Sequence, residues 1–164
     1  MPDPQPPVNF YSPESLGPAN SLGRLMKRVM QSLLLQVDRR LAEHDLTHAQ
    51  WLPLYRIAQG ECDTMAALAR DQALDPGAMT RALDRLEAKG LLLRVRSLQD
   101  RRVVKLELTA AGRAASKHVP PVLAEVLNAH LAGFSEAEWR QLLGLLERMA
   151  ANGDALRDAS KDLV

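Results

Sequence analysis

The sequence is poor in cysteine and in aromatic side chains. Its 164 residues include one cysteine, Cys62, and only 4% aromatic residues. A single cysteine cannot form a disulfide within the chain, and this fits a reducing compartment. The first residues, MPDPQPP, are neither basic nor apolar, and no stretch comes near the roughly 18 uninterrupted apolar residues of a membrane span. We therefore expect a cytoplasmic protein that has no membrane partner.

The sequence patterns of common catalytic sites are also missing. The G-x-S-x-G, P-loop, H-E-x-x-H and C-x-x-C patterns do not occur. We therefore expect neither an enzyme nor a bound cofactor. The histidines form no H-x-x-x-H pair within one predicted helix and lie near no cysteine cluster, so we expect no metal site. They are His44, His48, His118 and His130.

Positive charge is concentrated in one segment, although the whole chain has a formal net charge of only +1. Residues 64–109 contain 9 basic and 6 acidic residues, whereas residues 1–63 and 110–164 each contain 6 basic and 7 acidic residues. From Arg81 to Lys105 there are 8 basic and 3 acidic residues. Such a segment has the electrostatic footprint of a nucleic-acid-binding surface, although many basic clusters are merely solvated faces.

Within this segment, Asp75 and Pro76 predict the start of a helix that ends at Gly90. The Asp carboxylate can accept from first-turn amides, and proline at the first helical position gives up a donor that has no partner there. One side of the helix is apolar, with Met79, Ala82, Leu83 and Leu86. The other side carries Gly77, Arg81, Asp84, Arg85 and Ala88. Such a helix fits a major groove, where arginine can pair with guanine through two hydrogen bonds.

After this helix the apolar residues alternate, which predicts two strands joined by a loop. The first strand contains Leu93 and Val95, and the second contains Val103, Val104, Leu106 and Leu108. The loop, residues 97–102, carries Asp100, Arg101 and Arg102, and the first strand carries Arg94 and Arg96. Arginine at such a tip suits a minor groove, whose negative potential attracts a guanidinium group.

The helix, turn, helix and wing resemble the MarR family of winged-helix transcription regulators. The wing pattern of that family, D-x-R followed by a strand and L-T-x-x-G, is matched by Asp100, Arg102, Leu108, Thr109 and Gly112. The run T-R-x-x-D-R-L-E-x-K-G-L, from Thr80 to Leu91, is also typical of the family. The resemblance covers roughly residues 22–149. It implies a mainly α protein with a small β-wing, in which a winged helix-turn-helix domain joins a helical dimerisation domain.

The resemblance also implies which residues face double-stranded DNA. In this family the second helix of the pair enters the major groove, a role that falls on Arg81 and Arg85. The D-x-R arginine, Arg102, reaches into the minor groove, and Asp100 braces the wing. Arg101 occupies the variable position of that motif. The residues expected at the DNA are Thr64, Pro76, Gly77, Thr80, Arg81, Arg85, Arg96, Asp100, Arg101 and Arg102.

Helices on both sides of the DNA-reading segment are predicted from apolar spacing and from capping residues. A long helix with a wide apolar stripe runs from residue 20 or 21 to His44. Thr47 with Gln50 starts the next helix, and Asp63 or Thr64 starts the first helix of the DNA-reading pair, with Met65, Leu68 and Ala69 inside. Thr109 starts a helix that runs to about Ala132 with a kink at Pro120 and Pro121. Ser135 with Glu138 starts the last helix, whose apolar pattern fades after Gly153.

This much apolar helix surface predicts a homodimer, because a second chain is the natural partner for a wide stripe. We expect an extended or disordered, proline-rich arm over residues 1–19. The helical dimerisation region would cover residues 20–46 and 110–164, and the winged helix-turn-helix domain residues 47–109.

A small-molecule effector pocket is predicted beside the first long helix. Arg28, Ser32 and Gln36 lie four residues apart along the edge of its stripe, and His48, Trp51 and Tyr55 lie in the adjacent helix. The resembled family commonly binds ligands between these helices and the DNA-binding lobe. An arginine with aromatic walls suits an aromatic carboxylate or a phenol. The alternative is that Trp51 and Tyr55 are core residues and that Arg28 is solvated.

These observations predict a ligand-responsive, homodimeric repressor that binds a pseudo-palindromic operator. Other functions stay open: a metal- or redox-sensing regulator of the same fold, a winged-helix module that binds proteins, and a ligand-processing enzyme. For redox sensing by Cys62, the neighbouring Glu61 and Asp63 disfavour the reactive thiolate.

Overall fold

Helices make up most of the chain, with one small antiparallel sheet. The computed structural model describes residues 9–15, 17, 21–72, 74–96 and 104–161. Its helices are α1 (Leu22–Leu41), α2 (His48–Ala58), α3 (Met65–Asp71), α4 (Pro76–Ala88), α5 (Ala110–Ser116), α6 (Val119–His130) and α7 (Glu136–Lys161). Strands β1 (Leu92–Arg96) and β2 (Val104–Leu108) form the sheet, and a 3-10 turn (Ala42–His44) follows α1. The predicted class, mainly α with a small β-wing, is confirmed.

The predicted helix starts are confirmed by hydrogen bonds that span three residues. The Ser21 hydroxyl accepts from the amide of Arg24 at 3.3 Å and so caps α1. At the start of α2, Gln50 Oε1 accepts from the Thr47 amide at 3.2 Å. At the start of α7, Glu138 Oε2 accepts from the Ser135 amide at 2.8 Å. Each bond satisfies an amide that has no partner within its helix.

The single kinked helix predicted from Thr109 to Ala132 is wrong, because two helices occupy this stretch. Helix α5 ends at Ser116 and α6 begins at Val119. Pro120 and Pro121 therefore occupy the second and third positions of α6. The first amides of a helix have no intrahelical acceptor, so proline loses nothing there, and it can begin a helix where it would damage a helix interior. Helix α7 runs on past Gly153 to Lys161.

The two predicted strands form a hairpin in which Leu92 pairs with Leu108 and Arg94 with Leu106. Leu92, Leu106 and Leu108 are buried, whereas Leu93 is 50% exposed. The alternation of apolar residues predicted the position of the strand correctly. The residue that β1 contributes to the core, however, is Leu92 and not Leu93. Since successive side chains point to opposite faces, this register turns Arg94 toward the protein and Leu93 away from it.

The core of the described chain lies between α2, α3, α4 and the hairpin. It consists of Leu54, Cys62, Leu68, Ala69, Met79, Leu83, Leu86, Leu92, Leu106 and Leu108. Helix α4 supplies three of these residues. Met65, which was predicted to lie inside, is 37% exposed because it is the first residue of α3, where its sulfur lies 3.3 Å from the Thr80 hydroxyl.

The L-T-x-x-G motif closes the hairpin onto α5. The Thr109 hydroxyl donates to the Gly90 carbonyl at 2.7 Å and accepts from the Gly112 amide at 2.9 Å. A Cβ atom on Gly112 would lie 1.9 Å from the carbonyl oxygen of Leu91. Only glycine allows the two backbone segments to come this close.

The chain divides into two compact units, Met1–Leu123 and Ala124–Val164. The first unit contains α1 to α5, the hairpin and the core. The second contains most of α6 and all of α7. The domain boundaries predicted from the sequence stay predictions.

Candidate nucleic-acid interface

The orientation of α4 is set by its buried side. Met79, Ala82, Leu83 and Leu86 are all between 0% and 4% exposed. Asp75 Oδ1 accepts from the Ala78 amide at 2.9 Å, and Pro76 is the first helical residue, as predicted. Gly90, with a φ of +67°, follows the helix end. With one side fixed in the core, Arg81, Asp84 and Arg85 face solvent.

Several basic side chains of this segment are neutralised by nearby carboxylates. Lys89 Nζ lies 2.8 Å from Asp45 Oδ2, and Lys105 Nζ lies 3.0 Å from Asp63 Oδ2. Arg94 contacts both Asp84 and Glu87 on α4. These cations are compensated within the protein, so the segment offers less free positive charge than its composition suggests.

The basic side chains of Arg81, Arg85 and Arg96 are not neutralised in this way. All three are exposed, and within the described ranges none of them forms an ion pair. Arg81 and Arg85 lie one helical turn apart on the outer side of α4, and Arg96 ends β1. Among the described residues of this segment, uncompensated positive charge is therefore carried by these three residues, which were predicted to face DNA, and also by Arg70 on α3. The assignment to DNA stays a prediction.

The other predicted DNA-facing residues of α3 and α4 have local structural roles. The Thr80 hydroxyl donates to the Pro76 carbonyl at 2.8 Å, and Thr64 Oγ1 accepts from the Ala67 amide at 3.2 Å. Gly77 is exposed in the first turn of α4. The hydroxyls of Thr80 and Thr64 are thus already engaged. Beside Gly77, a Cβ atom would lie 3.1 Å from Asp75 Oδ1 and 3.4 Å from Arg81 Nη1, so these two side chains pack against its backbone. Asp100, Arg101 and Arg102 lie outside the described residues.

Burial and ion pairing shift the pKa of the Arg94 guanidinium in opposite directions. Burial alone would lower the pKa of its guanidinium, but the hydrogen bond with Asp84 and the charges of Glu87 and Asp84 outweigh it and raise the pKa. The same combination operates at Arg56, whose pKa is raised by Glu61 and Asp71 against the effect of burial. These arginines stay charged and act as links between elements.

The predicted effector residues are only partly brought together. The Trp51 side chain is 3% exposed, and its Nε1 donates to Asp38 Oδ1 at 2.8 Å. His48 contacts the Trp51 ring edge-on, with 5.2 Å between centroids. Tyr55 is half-buried on the same helix.

Within one chain, the polar residues Arg28, Ser32 and Gln36 of α1 do not surround the rings of His48 and Trp51. Gln36 Oε1 accepts from Arg40 Nη1 at 3.0 Å, and Arg28 and Ser32 are exposed. Arg28 precedes Asp38 by ten residues, which is about 15 Å along the axis of α1. His48 and Trp51 therefore form a contact, whereas Arg28 lies about three turns from the Trp51 partner.

A small cavity was missed by sequence reasoning. It has a volume of about 180 Å³ and is lined by Asp38, Ala42, Asp45, Leu46 and Thr47. It follows from the sharp turn after α1, where Asp45 adopts a φ of +54°. The sequence AEHDLT contains no glycine or proline to indicate this bend, although Asp adopts such a conformation more readily than most residues.

Cys62 and the histidines show no sensor geometry within the part of the chain that the structure describes. Cys62 is 7% exposed, and the pKa of its thiol is raised by burial first and by the charge of Asp71 second. The His44 and His118 rings stack with their centroids 3.8 Å apart. No group of three or more His, Cys, Asp or Glu side chains in this part is arranged to hold a metal ion.

Among the described helices, none is both long and apolar enough to cross a membrane.

Comparison with known proteins places this architecture in one family. A sequence profile of the MarR family matches residues 46–104. The transcriptional regulator PA3341 is 29% identical, with a TM-score of 0.75 over 82% of this chain and 98% of that one. A mutant MarR from E. coli, solved in complex with operator DNA, is 30% identical, with a TM-score of 0.71 over 78% and 92% of the two chains. The Mycobacterium tuberculosis MarR family protein Rv2887, solved with salicylic acid, is 30% identical, with a TM-score of 0.64 over 79% and 96%.

These similarities extend over most of both chains. The chain therefore belongs to the MarR family and is a winged-helix transcriptional regulator.

Proposed function

We propose that this regulator is a homodimeric repressor that binds a pseudo-palindromic duplex operator. Each subunit would place α4 in a major groove and its wing in the flanking minor groove. The observation that carries the proposal is the pair Arg81 and Arg85, which are exposed one turn apart on a helix whose other side is buried. Neither has an ion-pair partner within the described ranges, so both guanidinium groups are available to a ligand.

The chemistry of this surface supports duplex DNA as that ligand. An arginine can donate two hydrogen bonds to O6 and N7 of a guanine, and the first-turn amides of a helix attract phosphate. Arg96 extends the positive charge from α4 toward the wing. The complex of the related E. coli mutant protein with operator DNA supports the same partner. For Arg102, the proposed minor-groove role depends on the family resemblance alone.

The proposed dimer is supported by apolar side chains that a single chain leaves exposed. Residues on α1 and α7 that are each at least 36% exposed include Leu22, Leu25, Met26, Val29, Met30, Leu35, Trp139, Leu143, Leu145, Leu146 and Met149. Each of the two helices thus leaves apolar side chains exposed, and exposed apolar surface is a feature of interfaces. A two-fold dimer would read two half-sites about 34 Å apart, one turn of B-DNA.

We propose further that a small aromatic carboxylate or phenol relieves repression. Support comes from the complex of the related Mycobacterium tuberculosis protein with salicylic acid. His48 and Trp51 would supply the aromatic wall for this ligand. Because Arg28 lies about three turns of α1 from the Trp51 partner within one chain, its cation would have to come from the second subunit of the proposed dimer. An effector that binds better to a dimer with wrongly spaced α4 helices would lower operator affinity by shifting the population.

The first experiment measures binding of the purified protein to DNA from upstream of its own gene, with random DNA as the control, at several salt concentrations. We expect a salt-sensitive complex of two chains that prefers the upstream DNA. Arg81→Ala and Arg85→Ala should each cost about 1 to 3 kcal/mol on the preferred site and relax base preference. Arg148→Ala, an exposed residue on α7, removes the same charge and should bind like the parent protein.

The outcomes separate the parts of the proposal. Equal losses on the preferred site and on random DNA would show that Arg81 and Arg85 contact phosphates without reading bases. No preference in the parent protein would contradict operator binding and favour a module that binds proteins. For the effector, Arg28→Ala should weaken the response to salicylic acid without changing operator affinity, and an unchanged response would contradict the proposed site.

A further inference from the structure

Arg94 is a basic residue of the DNA-facing segment whose side chain is directed into the protein. In the hairpin register it lies opposite Leu106, which is 3% exposed. The neighbouring residues Leu93 and Val95 lie on the opposite face and are 50% and 39% exposed. The alternation of the strand therefore turns Arg94 toward α4, and its side chain is only 28% exposed.

The guanidinium of Arg94 connects two carboxylates on α4. Its Nη2 lies 2.7 Å from Asp84 Oδ1, and its Nη1 donates to Glu87 Oε2 at 2.6 Å. Asp84 and Glu87 are three residues apart and so lie on neighbouring turns of the helix. One rigid, planar group thus holds two points of α4 to one point of β1, which restrains both sliding and rotation of the hairpin against the helix.

The Arg94 contact is of a stronger type than the other ion pair formed by the hairpin. Lys105 joins Asp63 through a single ammonium contact, with side chains 44% and 60% exposed. Exposed single pairs of that type contribute little and do not fix an angle. The Arg94 contact uses two charge-assisted hydrogen bonds at a partly buried position, and it lies directly between the two elements that would enter neighbouring grooves.

We propose that Arg94 is a positioning residue that sets the angle between α4 and the wing and does not itself contact DNA. The inference depends on the proposed function, since it concerns how the two elements reach an operator together. A protein that reads a major and a minor groove at once needs them held close to the productive geometry. Arg94 would supply this restraint, whereas Arg96, two residues further along the same strand, would contact the DNA backbone.

The test uses a pair of substitutions that conserves local charge. Arg94 with Asp84 and Glu87 carries a net charge of −1, and Arg94→Met combined with Glu87→Gln also leaves −1, on Asp84. A change in DNA binding by this double variant therefore cannot come from altered net charge. Arg94→Lys keeps the cation but lacks the planar fork, and Arg96→Ala serves as the backbone-contact comparison. Thermal melting confirms that each variant is folded before binding is measured.

We expect the double variant to bind the preferred upstream DNA about tenfold more weakly, with random-DNA affinity and the salt dependence unchanged. Arg94→Lys should lie between the double variant and the parent protein. Arg96→Ala should weaken binding to both DNAs and reduce the salt slope by about one.

Two outcomes would overturn the assignment while leaving the proposed function in place. Binding of the double variant equal to that of the parent would show that the contact does not position the wing. A salt slope reduced by about one, with equal losses on both DNAs, would show that Arg94 is itself a phosphate contact. If the parent protein has no DNA preference at all, operator binding is wrong and the role of Arg94 is rejected with it.

Discussion

Helices α4 and α7 both carry apolar residues at helical spacing, but a single chain buries only those of α4. The apolar side of α4 is at most 4% exposed, whereas Leu143, Leu145, Leu146 and Met149 on α7 are between 40% and 47% exposed. The apolar spacing of the two helices is of the same kind in the sequence. Periodicity thus identifies which side of a helix will be buried, but it does not identify what buries it.

The comparison separates two sources of stability. The α4 side contacts core residues of its own chain, so its contribution should not depend on protein concentration. The exposed apolar residues of α7 and of the first half of α1 gain nothing comparable from a lone chain. If they bury against a second copy, their contribution will increase with concentration.

Gly112→Ala should cause the largest loss of stability. The new Cβ would lie 1.9 Å from the Leu91 carbonyl oxygen, so the backbone of α5 or of the hairpin must move. We expect a loss of about 4 kcal/mol or more in the free energy of unfolding, or failure to fold. The measurement is chemical denaturation followed by circular dichroism.

Gly144→Ala is the matched control on α7. A Cβ there meets nothing within 4 Å, and alanine favours helix over glycine by about 1 kcal/mol. This variant should be as stable as the parent or more so. A small effect at Gly112 would contradict the close packing of α5 on Leu91.

Leu83→Ala should destabilise the protein by about 3 kcal/mol, since it opens a cavity in the core. Leu83 is 0% exposed and belongs to the core between α2, α3, α4 and the hairpin. The loss should be the same at all protein concentrations. Thermal melting over a hundredfold range of concentration checks both statements.

Leu145→Ala tests the other region, because Leu145 is 47% exposed in the single chain. We expect a smaller loss that is greatest in dilute solution and is accompanied by a shift toward monomer in sedimentation. A large loss that does not vary with concentration would mean that this leucine is buried within its own chain.

Asp75→Ala should cost about 1 kcal/mol, since it removes the carboxylate that caps α4. The Ala78 amide would lose its acceptor, which now lies at 2.9 Å. Asp75→Asn keeps an acceptor oxygen and should recover most of the loss. Failure of this recovery in denaturation experiments would point to the charge of Asp75 as the main contribution.

The smallest expected effect is a pH dependence at the start of α7. Hydrogen bonds from the Ser135 amide, first, and from its hydroxyl lower the pKa of Glu138. A lowered folded-state pKa gives a contribution that is present above the usual glutamate pKa and is lost as pH falls through the lowered value. Exchange of the Ser135 amide should therefore lose protection as the pH falls below the usual glutamate pKa. Glu138→Gln, which does not titrate, should remove this pH dependence, and a dependence that persists would contradict the assignment.

Interactions between near neighbours in the sequence were predictable. The caps at Ser21, Thr47, Thr64, Asp75 and Ser135 each depend on an amide or side chain three residues away, and all five helices begin where those residues predict. The break at Lys117 and His118 was not predicted. Proline is compatible with a helix start as well as with a kink, and composition does not distinguish them.

The candidate site was predictable as a segment but not residue by residue. Motif and charge located Arg81, Arg85 and Arg96 in the basic region. They did not show that Lys89 would pair with Asp45, 44 residues earlier in the chain. The register of β1 also turned Arg94 away from solvent, and a shift by one residue would have reversed it.

By itself the sequence determined every helix start except that of α6, the position of the wing and the resemblance to a family of regulators. These features depend on backbone preferences and on contacts that span a few residues. Only the tertiary structure decided which cations remain uncompensated, because an ion pair requires two groups within about 4 Å, wherever they lie in the chain. Folding brings Asp84 and Glu87 to Arg94 and leaves Arg81 and Arg85 facing solvent.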